Sequence, residues 1–108
     1  MEFKELFTKA KETFSKADVS SVTGKLAYQY DITGEKGGSF YIEIKDGIMN
    51  IEPFEYDDRD VKFTISPENF IKQLEGKLNS SIAYTTGKLK IEGDLGKALM
   101  LKNMLGGE

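Results

Sequence analysis

Apolar and polar residues alternate at every second position over several short stretches of the chain, a period typical of strands with one buried and one wet face. Three such stretches between residues 24 and 53 predict an antiparallel meander. The pair Asp46-Gly47 directly precedes the third stretch, and this dipeptide between two strands indicates a tight hairpin. The inward positions of the first two strands are expected to face one covered side: Leu26, Tyr28, Tyr30, Ile32, Phe40, Ile42 and Ile44.

Two more strands are predicted further along the chain. Pro53 ends the third strand because proline cannot donate to a ladder, and a polar connection follows over residues 55–60. Apolar residues alternate with polar ones over residues 61–65 and again over residues 88–92. Both stretches fit short strands with one buried face.

The remaining stretches show the spacing of apolar residues that is typical of helices, or the residues that begin and end helices. Apolar residues three and four apart form one stripe over residues 2–16, which indicates a helix packed on the core. Gly76 is expected to end a second helix, and the last helix is expected to run from Leu95 towards Leu105. The three later helices have capping residues at their starts, namely Ser66, Asn79 and Asp94.

The predicted order is a helix, three strands, a crossover, a strand, two helices, a strand and a helix. This order predicts an α+β fold in which helices cover one face of a five-stranded, mostly antiparallel sheet. A chain of 108 residues is long enough for one hydrophobic core, so we expect a single domain over residues 1–108.

Composition restricts the chemistry more than the fold. The chain contains no cysteine and no histidine, which excludes thiolate nucleophiles, Ser-His and Cys-His pairs and the common zinc sites. A formal charge of −3 disfavours a nucleic-acid surface, which is normally basic. No apolar run reaches the length of a membrane span, so no stable membrane insertion is expected. We therefore predict no catalytic residues, no metal site and no cofactor.

Two groups of carboxylates suggest other chemistry. The connection after the third strand holds three oxygen-bearing side chains of the kind that hard cations prefer, those of Asp57, Asp58 and Asp60. Their spacing lacks the glycine and glutamate of a calcium-binding loop, so we interpret them as a solvated loop. Glu43, Glu52 and Glu55 would be the candidates for an acid–base pair, but strand alternation places Glu43 on the wet side of its strand.

The last helix carries more apolar surface than one core contact requires. Its apolar residues lie on more than one side: Leu95, Ala98, Leu99, Met100, Leu101, Met104 and Leu105. Such a helix is typical of deep burial, of an oligomer contact or of a ligand chamber. Its two methionines would give a ligand chamber an adaptable lining. The pattern alone leaves these three interpretations open.

Several motifs between residues 60 and 99 resemble the sterol carrier protein 2 (SCP-2) family, in the family's order and spacing. The motifs are Asp60-Val61-Lys62-Phe63-Thr64-Ile65, Ser66-Pro67-Glu68-Asn69-Phe70, Gly76-Lys77-Leu78-Asn79, and Gly87-Lys88-Leu89-Lys90-Ile91-Glu92-Gly93-Asp94-Leu95 followed by Ala98-Leu99. The resemblance implies a sheet roofed by helices with an apolar tunnel between the layers. It also implies non-catalytic binding, and transfer, of a sterol, fatty acid, fatty acyl-CoA or phospholipid.

The resemblance also implies which residues line the tunnel. The helices would contribute Phe70, Leu74, Leu78, Ile82, Leu95, Leu99, Met100 and Met104. The strands would contribute Phe40, Ile42, Ile51, Phe63, Leu89 and Ile91. The alternative function is a protein-interaction or dimerisation module that uses the apolar C-terminal helix, so the expected state is a monomer or a weak homodimer. The chain lacks tryptophan and a peroxisomal C-terminal tripeptide, which disfavours a eukaryotic peroxisomal role, so we expect a prokaryotic member. Because the sequence is a bare domain and its N-terminus lacks the apolar segment of a signal peptide, we expect this member to be stand-alone and cytoplasmic.

Overall fold

The computed structural model describes residues 2–20 and 22–104. Its elements follow the predicted order: α1 (Phe3–Phe14), β1 (Lys25–Ile32), β2 (Gly38–Lys45), β3 (Ile48–Glu52), β4 (Val61–Ile65), α2 (Pro67–Leu74), α3 (Ser80–Thr85), β5 (Leu89–Gly93) and α4 (Leu95–Met104). The predicted end of the last helix at Leu105 lies outside the described residues. The predicted α+β class is confirmed.

The five strands form one sheet in the order β3-β2-β1-β4-β5. Only β1 and β4 run parallel, and the other three pairings are antiparallel, so the prediction of a mostly antiparallel sheet is confirmed. The register places Ile91, Phe63, Tyr30 and Phe40 in one row across β5, β4, β1 and β2. Side chains in one row point to the same face of a sheet, so this row lies on the helix-covered face.

Local sequence signals account for the turns and for the starts of the helices. In the hairpin between β2 and β3, Asp46 has a φ of 52° and Gly47 a φ of 80°, and two positive φ angles are what a type I′ turn requires. The three predicted caps are present. Their side-chain oxygens accept a backbone N–H bond from the residue three positions on, at 3.3, 3.1 and 3.1 Å for Ser66, Asn79 and Asp94 respectively.

A dense aromatic cluster joins α1 and α2 to the middle of the sheet. Its members are Phe14 of α1, Tyr30 of β1, Phe40 of β2 and Phe70 of α2, which are all buried. Their ring centroids lie 5.2 to 6.5 Å apart, within the range at which aromatic pairs stabilise a core beyond their buried area. Close packing therefore fills the space above β1 and β2.

The opposite face of β1 is covered as well, which alternation did not predict. Ala27 and Gln29 lie at outward positions, but both are buried because the connection between β3 and β4 packs over them. The Gln29 Oε1 atom accepts hydrogen bonds from the Tyr56 backbone N–H at 2.9 Å and from Arg59 at 3.3 Å. The buried amide is thus satisfied, as a buried polar group must be.

The interpretation of Asp60 as part of a solvated loop is wrong. Its carboxylate accepts a hydrogen bond from the Ala27 backbone N–H at 2.9 Å and pairs with the Lys97 Nζ atom at 3.0 Å. The Asp60 carbonyl accepts from the Asp94 N–H at 3.1 Å, and the Tyr28 hydroxyl donates to the Lys97 carbonyl at 2.6 Å. We call Asp60, Lys97 and Tyr28 the α4 anchor, because they join the start of α4 to the sheet.

Burial alone would raise the pKa of Asp60, but the Ala27 hydrogen bond and the Lys97 ammonium outweigh it and lower the pKa below its usual value of 3.8. Asp60 is therefore ionised at neutral pH, and its charge is matched by that of Lys97. Asp57 and Asp58, its neighbours in the connection, are exposed, as predicted for a solvated loop.

Candidate functional site

A cavity of about 490 Å³ lies between the helices and the β4–β5 side of the sheet. Phe63 of β4 and Leu89 and Ile91 of β5 form its floor. The volume falls in the range of about 300 to 1,000 Å³ that is typical of small-molecule sites. The cavity is therefore large enough for a ligand, whereas the β1–β2 side of the same sheet is filled by side chains.

Half of the fourteen predicted site residues line this cavity. They are Phe63, Leu74, Leu78, Leu89, Ile91, Leu95 and Leu99. Five segments contribute these residues: β4, α2, the α2–α3 connection, β5 and α4. They are brought together by the crossover that places β4 beside β1 and by the antiparallel pairing of β5 with β4.

The other seven predicted residues do not line the cavity. Four are buried members of the packed core: Phe40, Ile42, Ile51 and Phe70. Ile82 and Met100 are 61% and 39% exposed, while Met104 is half-buried against the core. Strand alternation and helical spacing place residues on a face, but they do not tell a packed part of that face from a hollow one.

The cavity opens to solvent beside α4. Leu95 and Leu99 line it and yet are 52% and 53% exposed, and Tyr84 of α3 is 46% exposed. Leucines four positions apart lie on the same side of a helix, so the two form one apolar edge along the opening. A ligand would reach the floor by passing this edge.

Tyr30 marks the border between the packed core and the cavity. Its ring stacks on Phe63 at 4.7 Å and on Phe40 at 5.2 Å, but of these two neighbours only Phe63 lines the cavity. The Tyr30 hydroxyl donates to the Gln73 Oε1 atom at 3.3 Å, and burial raises the pKa of this phenol. Tyr30 therefore stays neutral and acts as a wall of the cavity.

Sequence reasoning missed several lining residues. Phe14, Tyr30, Ala98 and Leu101 were assigned to a helix stripe, to the inward face of a strand or to the apolar last helix, but not to the tunnel lining. Ala17 and Tyr84 had no assigned role. The polar ones were not considered: Thr13, Lys16, Gln73, Ser80, Ser81 and Lys102. No local sequence signal distinguishes these residues from others of the same type in a helix, strand or loop. Residues of α1, for example, reach the cavity only because the tertiary fold places α1 beside it.

Within the described residues, none of the carboxylates considered for acid–base chemistry, Glu43, Glu52 and Glu55, lines the cavity. Glu43 accepts a hydrogen bond from the Tyr56 hydroxyl at 2.7 Å, and this bond lowers the pKa of its carboxyl. A general acid needs a raised pKa. Over residues 2–20 and 22–104, no cluster of three or more acidic, histidine or cysteine side chains is placed to hold a metal ion. Within the same residues, no helix has the length and hydropathy needed to cross a bilayer.

Comparison with known protein families gives one match over nearly the whole chain. The model of the SCP-2 sterol transfer family matches residues 3–106. Among curated proteins, the chain is 33% identical over 102 residues to hydroxysteroid dehydrogenase-like protein 2 of Bos taurus, a match that covers 94% of this chain. The chain spans only about a quarter of that relative, 24% of its length.

Solved structures share the fold at low sequence identity. The palmitated SCP2L2 of Aedes aegypti is 18% identical with a TM-score of 0.70, over 97% of this chain and 95% of that one. The sec-alkylsulfatase Pisa1 of Pseudomonas sp. is 15% identical with a TM-score of 0.71, over 82% of this chain and 14% of that one. The same fold thus occurs both as nearly a whole chain and as a small part of a larger enzyme.

Proposed function

Because the chain belongs to the SCP-2 sterol transfer family, we propose that it binds and transfers a lipid in the cavity above β4 and β5, without catalysing a reaction. The observation that carries the proposal is the cavity itself, which has a volume of about 490 Å³ and an apolar floor of Phe63, Leu89 and Ile91. A packed interior leaves few voids larger than a water molecule. A hollow of this size is explained best by an apolar occupant.

The gain from burying an acyl chain is large enough to support binding. Each buried methylene contributes about 0.8 kcal/mol, so a chain of about fifteen carbons would contribute roughly 12 kcal/mol before the costs of association and ordering, which are themselves several kcal/mol. The apolar walls therefore account for useful affinity without covalent chemistry. The palmitated SCP2L2 structure, which shares the fold, supports an acyl chain as the occupant.

The curated relatives do not extend this proposal to an enzyme. The name of the bovine relative refers to a dehydrogenase, but the match covers 24% of that protein, and a similar domain occupies 14% of the alkylsulfatase chain. The absence of histidine and cysteine removes the usual acid–base and nucleophilic groups. We therefore assign this chain the lipid-binding role of its family rather than the activity of the larger proteins.

The exposed apolar residues of α4 favour lipid binding over dimerisation. Leu95 and Leu99 form the edge of the cavity opening, so their exposure is explained by a ligand site without a second copy. Among the residues that the structure describes near the opening, Ile82 and Met100 are exposed and apolar but do not line the cavity. The two pairs therefore allow the two functions to be tested separately.

The test is a titration with a neutral fluorescent acyl ester against two matched double variants. In Leu95→Gln/Leu99→Gln, two amides replace the apolar edge of the opening, and we expect affinity to fall by roughly tenfold or more, since 1.4 kcal/mol corresponds to tenfold. In Ile82→Gln/Met100→Gln we expect a change of less than about twofold. Glutamine is a good helix former, so far-UV circular dichroism should show both variants folded.

The outcomes separate the functions. No saturable binding by the wild-type chain, together with no lipid co-purifying in native mass spectrometry, would refute the proposal. Equal losses in both variants would show that the cavity edge has no special part in binding. A wild-type dimer that dissociates in the Ile82→Gln/Met100→Gln variant and is insensitive to lipid would support the interaction module instead.

A further inference from the structure

The charged side chains that line the cavity all have one sign within residues 2–20 and 22–104. Among the described residues they are Lys16 and Lys102, and no aspartate or glutamate lines the cavity. The chain as a whole has 18 acidic and 15 basic residues, so this region is opposite in charge to the rest of the protein. An apolar cavity with cationic groups at its wall is complementary to an amphiphile with an anionic head group.

We propose that Lys16 and Lys102 bind an anionic head group, a carboxylate or a phosphate, and so select charged lipids over neutral ones such as sterols or esters. The proposal rests on the lipid-binding function proposed above and identifies the class of ligand. In this arrangement the ligand's chain lies over Phe63, Leu89 and Ile91, and its charge lies at the two lysines.

The fold holds the two lysines at one end of the cavity. Lys16 follows the end of α1, and Lys102 lies in the last turn of α4. The Asp18 backbone N–H donates to the Met104 carbonyl at 3.2 Å, which joins the C-terminal ends of these two helices. Each lysine lies two residues before one partner of this bond, so residues far apart in the sequence become neighbours at the cavity wall.

Helical spacing places each lysine in line with other cavity residues. On α4, Leu95 and Leu99 are four positions apart and Lys102 follows three positions later, so the three lie on one side of the helix. Thr13, in the last turn of α1, is three positions before Lys16 and also lines the cavity. The cavity side of α4 thus begins with apolar residues and ends with a cation, which is the order that an amphiphile requires.

Neither lysine is neutralised by a carboxylate within the described residues. The ion pairs formed there use Lys62, Lys77 and Lys97. Lys16 is exposed and Lys102 is half-buried. Because a lysine has a long apolar stem, each side chain can cover apolar surface and still turn its ammonium group towards a ligand. Each ammonium group offers three hydrogen-bond donors.

A lysine near the end of a helix also complements the helix macrodipole, so stability measurements alone do not test the proposal. The discriminating readout is the preference of the protein for a charged ligand over a neutral one of the same shape. A change in stability shifts the affinity for both ligands, whereas loss of a head-group contact shifts only the affinity for the charged one.

The experiment measures binding of cis-parinaric acid, of its methyl ester and of the monophosphate of the corresponding alcohol to the full chain at low salt. We expect the wild-type protein to bind the anionic probes roughly tenfold more tightly than the ester. In Lys16→Gln/Lys102→Gln this preference should fall to about one, with affinity for the ester unchanged. The matched control Lys4→Gln/Lys36→Gln removes two exposed lysines outside the cavity and should keep the preference.

Added salt provides a second readout, since screening should reduce the wild-type preference and leave the Lys16→Gln/Lys102→Gln variant unaffected. Equal wild-type affinity for acid and ester would overturn the proposal while leaving the lipid-binding function intact. A preference that persists in the Lys16→Gln/Lys102→Gln variant would overturn the assignment of these residues. Failure of every probe to bind the wild-type chain would overturn the lipid-binding function, and the head-group assignment with it. The ratio of the two anionic probes distinguishes a carboxylate from a phosphate source.

Discussion

Removal of the Asp60 side chain should destabilise the protein more than its partly exposed position suggests. One carboxylate oxygen accepts the Ala27 N–H at 2.9 Å and the other pairs with Lys97 at 3.0 Å. The lysine side chain is 37% exposed, so the ion pair itself contributes only about 0.5 kcal/mol. Ala27 is fully buried, and an unsatisfied buried N–H costs about 1 to 3 kcal/mol. We therefore expect Asp60→Ala to lower the free energy of unfolding by about 2 to 3 kcal/mol.

A series of variants divides this loss between its two sources. Asp60→Asn keeps a neutral acceptor for Ala27 and should cost about 1 kcal/mol, whereas Lys97→Met removes only the ion pair and should cost about 0.5 kcal/mol. Asp57→Ala, at an exposed position of the same connection, is the control and should change stability by less than about 0.5 kcal/mol. Urea unfolding followed by circular dichroism gives these values.

An Asp60→Ala variant no less stable than Asp57→Ala would contradict a stabilising role of the Asp60 carboxylate. A Lys97→Met variant as unstable as Asp60→Ala would show that the ion pair outweighs the buried N–H.

Two further predictions concern the same region and its acid sensitivity. In urea unfolding, Gly93→Ala should lower the free energy of unfolding by about 1 to 3 kcal/mol more than Gly34→Ala. Both glycines have positive φ, but an added Cβ at Gly93 would collide with the Asp60 carbonyl, whereas Gly34 faces open space. Equal losses in the two variants would contradict this explanation. Burial would raise the pKa of Asp31, but hydrogen bonds from Gln29 and Ser39 and the Lys62 ammonium outweigh burial and lower the pKa below 3.8. The stability that ionised Asp31 contributes is therefore complete above about pH 4 and is lost as the pH falls through the lowered pKa. In thermal unfolding between neutral pH and about pH 3, Asp31→Asn should therefore lose less stability than the wild-type protein, and a loss as large as the wild-type loss would contradict the assignment.

The elements could be predicted from sequence because their signals are local. A cap such as Ser66 acts on an N–H three residues away, and the Asp46-Gly47 turn is determined by two φ angles. Asp60 could not be interpreted in this way, because its partners Ala27 and Lys97 are distant in the chain. An aspartate in a polar connection is usually solvated, and only the tertiary fold shows that this one completes the pairing of β1 with β4.

The site was predicted only in part for a similar reason. Phe40 and Phe63 share one row of the sheet and the same inward pattern, yet Phe40 is packed beneath α1 and α2 while Phe63 lines the cavity. The difference comes from the elements above them, not from the residues themselves. Lys16 and Lys102 were missed because they are brought together by a tertiary contact, the Asp18–Met104 bond between segments distant in the sequence.

The helices that cover the two halves of the sheet pack against it in different ways. Above β1 and β2, the rings of Phe14, Phe40 and Phe70 close the interior, and this part supplies much of the buried aromatic surface. Above β4 and β5, α4 is held to the sheet at its start by the α4 anchor and leaves Leu99 at an open edge. Ala98 and Leu101 of α4 are buried and the Asp18–Met104 bond holds its end, while Leu95 and Leu99 stay exposed at the opening. The α4 anchor and the edge of the opening use different residues. A change at Leu95 or Leu99 should therefore affect affinity with little effect on folding, and a change at Asp60 should affect stability with little effect on affinity.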